Sequence, residues 1–250
     1  MSKRPAVTFA TEQGPRDYQE DRFFYKKIEK QNCHGSLLVV LDGHIGSTVV
    51  EICVNEIPRS FKLMDADDSE MALSRLVSSL VQSTSIYFTG STLSAACISE
   101  EKNTVSVAIL GDSPIIVLDS SRCLFISPEH NVRSNQKELE AAKSRGGIYE
   151  QGYIFAKGDF NRGLQMSRSL GDAYLGDIIS REPEIYTISD PVWVLVASDG
   201  IFDPNHGNQI ELIVEVSELA RQNASAEDVM NWAKLRGLRD NATALVWRKN

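Results

Sequence analysis

Apolar residues follow two rhythms along this chain. Short unbroken runs recur at Leu37 to Leu41, Thr104 to Leu110, Val192 to Ala197 and Ala242 to Arg248. Runs of this length, rich in β-branched residues and bounded by Gly, Pro, Asn or Asp, read as buried strands. Elsewhere the apolar residues recur at three- and four-residue spacing, the period of a helix face. Val49, Val50, Ile52, Cys53 and Ile57 mark a helix over 46–61. Leu73, Leu76, Val77, Leu80 and Val81 mark another over 69–87, with Ser69 as its N-cap. Further strands are expected at 6–12, 22–28, 36–41, 91–99, 114–119, 122–126, 152–157 and 184–188, and further helices at 136–145, 208–221 and 225–235. Gly146-Gly147 closes the first of these helices, and Ser225-Ala226-Glu227-Asp228 opens the last with a near capping box. The stretch 158–176 reads as irregular.

Short polar turns between the strands of 91–126 imply antiparallel neighbours. Strands in antiparallel runs with helices in blocks predict an α+β fold. The expected architecture is a four-layer αββα sandwich, two mainly antiparallel sheets face to face with helices on both outer faces. No linker, repeat or low-complexity tract divides the chain, so residues 1–250 are expected to form one domain.

Charge narrows the partners. Lys and Arg number 26 against 34 Asp and Glu, a net charge of -8, which disfavours nucleic acid and anionic membrane surfaces. An acidic chain can instead hold hard cations where its carboxylates converge. Cys33, Cys53, Cys97 and Cys123 have neither zinc nor redox spacing, and the last three sit among apolar residues, as buried thiols do. Met1 to Val7 has no apolar signal core and no run reaches membrane-spanning length. The expected compartment is the cytoplasm, with the nucleus as the alternative.

Candidate chemistry lies where the strands stop. Leu37 to Leu41 runs into Asp42-Gly43-His44, Val192 to Ala197 into Ser198-Asp199-Gly200, and Thr104 to Leu110 into Gly111-Asp112-Ser113. Glu20-Asp21 and Asp240-Asn241 stand immediately before strands. Strand ends and strand starts share an edge in antiparallel sheets, so these acids can gather at one rim. Any one of them alone could close a turn or cap a helix; five against apolar runs point to a shared site. Oxygen ligation selects Mg or Mn over zinc. Two such ions about 3.5–4 Å apart activate water and clamp a phosphoryl group.

In this order the residues resemble the type 2C, metal-dependent serine/threonine protein phosphatases. The resemblance runs from about Thr11 to Trp247, through Arg16-Asp17-Tyr18-Gln19-Glu20-Asp21, Asp42-Gly43-His44, Gly90-Ser91-Thr92, Gly111-Asp112-Ser113, Ser167-Arg168-Ser169-Leu170-Gly171-Asp172, Glu182-Pro183-Glu184-Ile185, Asp199-Gly200-Ile201-Phe202-Asp203 and Asp240-Asn241-Ala242-Thr243. It implies hydrolysis of phosphoserine and phosphothreonine in proteins by metal-activated water, without a phosphoenzyme. Asp42 would bridge two Mg or Mn ions, with Asp199 and Asp240 completing one and Glu20 and the Gly43 carbonyl the other. Asp112 and Asp203 would help hold a weaker third ion, and Asp21 would fix a metal-bound water. Arg16 would grip the phosphate, His44 would protonate the departing alkoxide, and Asn241 would orient backbone or a ligand. The expected partner is a phosphorylated protein, and the expected state a monomer.

Three positions depart from the family pattern. Ile45 stands where the first glycine of Asp-Gly-His-Gly-Gly is usual, a strained choice if that position needs positive φ. Pro114 replaces the arginine after Gly111-Asp112-Ser113, so 111–114 reads as much like a hairpin turn as a third-ion site. Phe202 replaces a tryptophan. The segment 157–164, which would form a flap beside the site, is short. The rival readings are a catalytically inactive pseudophosphatase acting as a binding module, and a phosphatase of small molecules.

Overall fold

The computed structural model describes residues 7–30, 33–62, 68–202 and 209–249. Strands β1 (Val7–Glu12), β2 (Arg22–Lys30), β3 (Cys33–Leu41) and the two-residue β4 (Gly43–His44) come first. Helices α1 (Thr48–Lys62) and α2 (Ser69–Thr84) follow. Next are β5 (Gly90–Ser91), β6 (Leu93–Ser99), β7 (Thr104–Leu110), β8 (Ile115–Asp119) and β9 (Leu124–Ile126). After α3 (Gln136–Ser144) come β10 (Ile148–Glu150), β11 (Tyr153–Ala156), β12 (Asp159–Leu164) and β13 (Leu170–Gly171). The chain closes with β14 (Glu184–Ser189), β15 (Pro191–Ala197), α4 (Gln209–Arg221), α5 (Ala226–Arg236) and β16 (Ala242–Arg248).

Two five-stranded antiparallel sheets, ordered β14-β7-β6-β3-β2 and β1-β16-β15-β8-β9, carry the fold. Alternation along each strand explains the layers. Leu38 and Val40 of β3 meet Ile115, Val117, Val194, Val196 and Leu245 of the facing sheet. Their neighbours Leu37, Val39 and Leu41 pack instead on Cys53, Ile57, Leu73, Leu76 and Leu80 of α1 and α2. On the far side, Leu195, Ala197, Ala244 and Val246 pack on Val216, Val229, Met230 and Ala233 of α4 and α5. The order of layers is therefore helix, sheet, sheet, helix, as expected. Strands buried on both faces lose the polar alternation of a half-exposed strand, which is why they appear in the sequence as unbroken apolar runs. Each fully buried aliphatic side chain contributes about 1.5–3 kcal/mol.

The structure corrects several expectations. Gly111–Pro114 is not a hairpin turn: β7 is already hydrogen-bonded on both edges, to β6 and β14, so the chain crosses into the other sheet to form β8. The strand expected over 91–99 breaks at Thr92, whose N–H donates to the Asp42 carbonyl at 2.9 Å; β5 thereby joins a three-stranded sheet, β13-β5-β4. Asp68, not Ser69, caps α2, its carboxylate accepting from the Met71 N–H at 3.1 Å. That helix ends at Thr84. The stretch 158–176 is ordered as β12, β13 and a 3-10 turn, Ala173–Ile178. Its first part, the short flap segment, is the last strand of the sheet β10-β11-β12. Side chains half of which are exposed leave β12 without an apolar pattern; the Phe155 and Phe160 rings, 5.7 Å apart, help to hold it. Cys53 and Cys97 are buried but Cys123 is exposed, in the turn before β9. The capping box of α5, between Ser225 and Asp228, forms as expected.

Candidate active site

Strand register brings the acidic positions to one rim. In the first sheet Arg22 pairs with Leu41, and Leu93 with Leu110. Asp21, Asp42, Thr92 and Gly111 therefore lie along one edge. In the second sheet Ala197 pairs with Ala244, and Glu12 with Ala242, which sets Ser198 and Asn241 at the adjoining edge. The β7–β8 crossing carries Asp112 along the same rim. Hydrogen bonds then join the two sheets. Ser198 Oγ donates to Asp21 Oδ2 at 2.7 Å and accepts from the Thr243 N–H at 2.9 Å. Asn241 Oδ1 accepts from the Glu20 N–H at 2.7 Å, while its Nδ2 donates to the carbonyls of Gln13 (2.8 Å) and Tyr18 (2.9 Å). Asn241 thus orients the loop that carries Arg16 and Glu20. Close backbone approach completes the gathering. Gly43 packs on Glu20, whose carbonyl would lie 2.8 Å from a Cβ at that position. Gly200 lies so near the Asn241 carbonyl that any side chain there would collide with it.

Electrostatics mark the rim as a place for cations. Burial pushes the Asp42 carboxyl well above the usual range, and the charges of Asp199, Asp21 and Asp112 push it further; Asp199 is close enough to share a hydrogen bond with it. Asp21 is pushed up to about 6, first by burial and then by Asp240, against the easing effect of the Ser198 and Thr243 hydroxyls. Its Oδ1 is buried and, among the described residues, has no hydrogen-bond partner. Gathered carboxylates cannot all ionise together unless a cation sits among them. This oxygen-only donor set fits hard divalent ions.

The other expected site residues flank this centre. Arg16, exposed at 54% of its side chain, pairs with Asp240 Oδ2, and its Nε donates to the Arg239 carbonyl at 3.4 Å. Asp240 Oδ1 accepts from the Asn241 N–H at 2.7 Å. Asp112 Oδ2 accepts from Asn131 Nδ2 at 2.8 Å. Asp203 lies outside the described residues. His44 Nε2 lies 2.9 Å from both carboxylate oxygens of Asp172. Ile45 adopts φ +61° and is half exposed, so the isoleucine takes the left-handed conformation that glycine would find easy. The β4–β5 pairing of His44 with Gly90 holds regardless.

A family model described as protein phosphatase 2C matches residues 6–242. The chain belongs to the protein phosphatase 2C family. It is 26% identical over 254 residues to "Probable protein phosphatase 2C 52" of Oryza sativa subsp. japonica, covering 95% of this chain and 49% of the relative. The chain thus spans about half the length of that curated relative. Among solved structures, a C. elegans sex-determining protein superposes with a TM-score of 0.76 at 24% identity, covering 97% of this chain and 64% of that one. The catalytic domain of the serine/threonine protein phosphatase PstP, solved with 2 manganese ions, superposes with a TM-score of 0.65 at 17% identity, covering 97% and 96%. At these identities the structures speak for the fold alone.

Within the phosphatase 2C framework, sequence reasoning assigned no role to Asp172, Ser198, Thr92, Glu129 or Asn131. Thr92 Oγ1 accepts from the Asp42 N–H at 3.1 Å and bonds Ser113 Oγ at 2.7 Å, bracing the strand end. Glu129 is pushed up by burial, with the Asp112 charge adding to the effect. The polar run Glu129-His130-Asn131, separated from β9 by two residues, was the available signal for that pair. A different grouping, His130, Glu138 and Glu184, brings ligand-type atoms within 4.8 Å of one another. A guanidinium already fills it: Arg168 donates to Glu138 at 3.0 and 2.6 Å and to Glu184 at 3.1 Å. His130 Nδ1 accepts from the Gly111 N–H at 3.0 Å, so a neutral ring carries its proton on Nε2 and offers no lone pair there. Burial, with the Arg168 charge, depresses His130 to about 4 and keeps it neutral. This network anchors Gly111, next to Asp112.

Proposed function

We propose that the chain hydrolyses phosphoserine and phosphothreonine esters of proteins at this rim, using two Mg or Mn ions. The observation that carries the reading is the Asp42 carboxyl, raised by loss of water and by the charges of Asp199, Asp21 and Asp112. Asp42 would bridge the ions, Asp199 and Asp240 would hold one, and Glu20 with the Gly43 carbonyl the other. Asp112 and Asp203 would contribute to a weaker third site. The two manganese ions bound by the PstP catalytic domain support the choice of metal. Bound ions supply charge neutralisation at the phosphoryl oxygens and a water of lowered pKa.

The chain's own groups do the rest. Arg16, half in solvent at the edge of the site, grips the phosphate through its planar fork. Asp21 Oδ1, buried and without a partner among the described residues, accepts a hydrogen bond from the attacking water and aims it at phosphorus. The phosphorus–oxygen bond to the serine or threonine breaks, and His44 gives its proton to the departing oxygen. The test is turnover of an aryl phosphate and a phosphothreonine peptide with and without chelator. Activity is expected only with Mn or Mg, and Asp199→Ala should abolish it. Turnover without metal would overturn the mechanism; metal binding without turnover would favour a non-catalytic binding module.

A further inference from the structure

We propose that Asp172 is the positioning residue for His44, holding the proton on Nε2 so that Nδ1 is the nitrogen presented to the departing alkoxide. The inference rests on the phosphatase reading and deepens it. Asp172 is fully buried, and both its oxygens lie 2.9 Å from His44 Nε2, 128 residues away in sequence. Oδ2 also accepts from Ser169 Oγ at 2.5 Å. A carboxylate only accepts, so the ring nitrogen facing it must donate. The bond a histidine makes at one nitrogen decides what the other can do. With Nε2 held inward, Nδ1 is the nitrogen left free for proton transfer.

The surrounding backbone is shaped to let this pair meet. His44 is on β4 and Asp172 directly follows β13; both strands pair with β5, which lies between them. The pair meets over Gly90 of β5, where any Cβ would collide with Asp172 Oδ2 and His44 Nε2. Asp172 itself adopts φ 51°, ψ 42°, a left-handed conformation that aspartate tolerates better than most residues. Its N–H donates to the Thr89 carbonyl at 3.1 Å, and the Ala173 N–H to the Tyr87 carbonyl at 3.0 Å. The Arg181 guanidinium pins the preceding Gly171 carbonyl. A buried carboxylate in strained backbone, opposite an obligatory glycine, is an arrangement that brings it to the His44 ring.

Leaving-group dependence tests the proposal. An alkoxide needs a proton as it leaves, whereas p-nitrophenolate leaves without one. Asp172→Asn is expected to lower kcat on a phosphothreonine peptide by about 10–100-fold, and to lower p-nitrophenyl phosphate turnover far less. His44→Ala should show the same split, and the double variant should lose nothing beyond His44→Ala. Equal loss on both substrates, or additive losses, would overturn the proposal and leave Asp172 a structural role only. If Asp172→Asn does not fold, Ser169→Ala, which removes only the hydroxyl on Oδ2, must show the split at smaller amplitude; its absence also overturns the proposal. Nitrogen-15 NMR of the His44 ring gives a readout independent of turnover. A proton on Nε2 in the wild type is expected, and a ring protonated on Nδ1 alone would refute it. The phosphatase reading fails separately, if the wild type with Mn turns over neither substrate.

Discussion

Removing one negative charge from the rim should stabilise the protein once metal has been stripped away. Asp21 is only 3% exposed, and burial lifts its pKa from 3.8 to about 6. That displacement corresponds to about 3 kcal/mol between its two protonation states. Because the folded value lies above the unfolded one, the folded chain keeps this proton after the unfolded chain has released it. Metal-free stability therefore falls as pH rises from about 4 to about 6, and the full loss is present at pH 7.5. Asp42, raised well above the ordinary range by burial and by neighbouring carboxylates, acts in the same direction. Asp21→Asn removes the charge and keeps the acceptor for Ser198 Oγ. Its amide nitrogen must then occupy a position without a partner among the described residues, at a cost of about 1–2 kcal/mol. The net expectation at pH 7.5 in chelator is a gain of about 1–2 kcal/mol. At pH 4 the variant should be no more stable than the wild type. Urea denaturation with EDTA at both pH values measures this, and adding Mn should then stabilise the wild type more than the variant. Equal destabilisation by Asp21→Asn at both pH values would refute the reasoning, since the carboxyl would then be no electrostatic burden.

Three further substitutions probe the frame. Gly200→Ala should cost about 1–3 kcal/mol in thermal or urea unfolding, because the new methyl collides with the Asn241 carbonyl. Arg168→Met should cost about 3–5 kcal/mol by leaving the buried Glu138 charge without its countercharge. Burial pushes Glu138 up, but its bonds to Arg168 and Ser167 hold it below the usual carboxylate value; the stability it contributes is present above that value and lost as pH falls. The Arg168→Met deficit should thus be largest near neutral pH and shrink in acid. Ile45→Asn places a residue more tolerant of φ +61° at a half-exposed position, and should raise Tm by about 2–4 °C, equivalent to about 1 kcal/mol.

Much of the frame was legible because strands buried on both faces announce themselves as apolar runs. Leu37 to Leu41 and Val192 to Ala197 could be found that way, and with them Asp42 and Asp199 at their ends. Pairing was not legible. The turn at 111–114 has hairpin length, and only the occupation of both β7 edges shows that it must cross between sheets. Strand β12 hid because a solvent-facing hairpin needs no apolar period. The partnership of His44 with Asp172 was beyond reach for a different reason: nothing local relates residues 128 positions apart, and Gly90 shows its purpose only when both side chains are seen on either side of it. The strain foreseen at Ile45 did appear, as a left-handed backbone, without unhooking His44 from its strand.

The four carboxylates proposed to hold the two ions divide evenly between the layers. Glu20 and Asp42 hang from the sheet containing β2 and β3, Asp199 and Asp240 from the sheet containing β15 and β16. Cations held among them would act as a clasp between two leaves that otherwise meet through apolar contacts and a few hydrogen bonds. Loading the clasp should slow amide exchange in β3 and β15 together, so that two halves of the molecule joined along one seam open as a single unit.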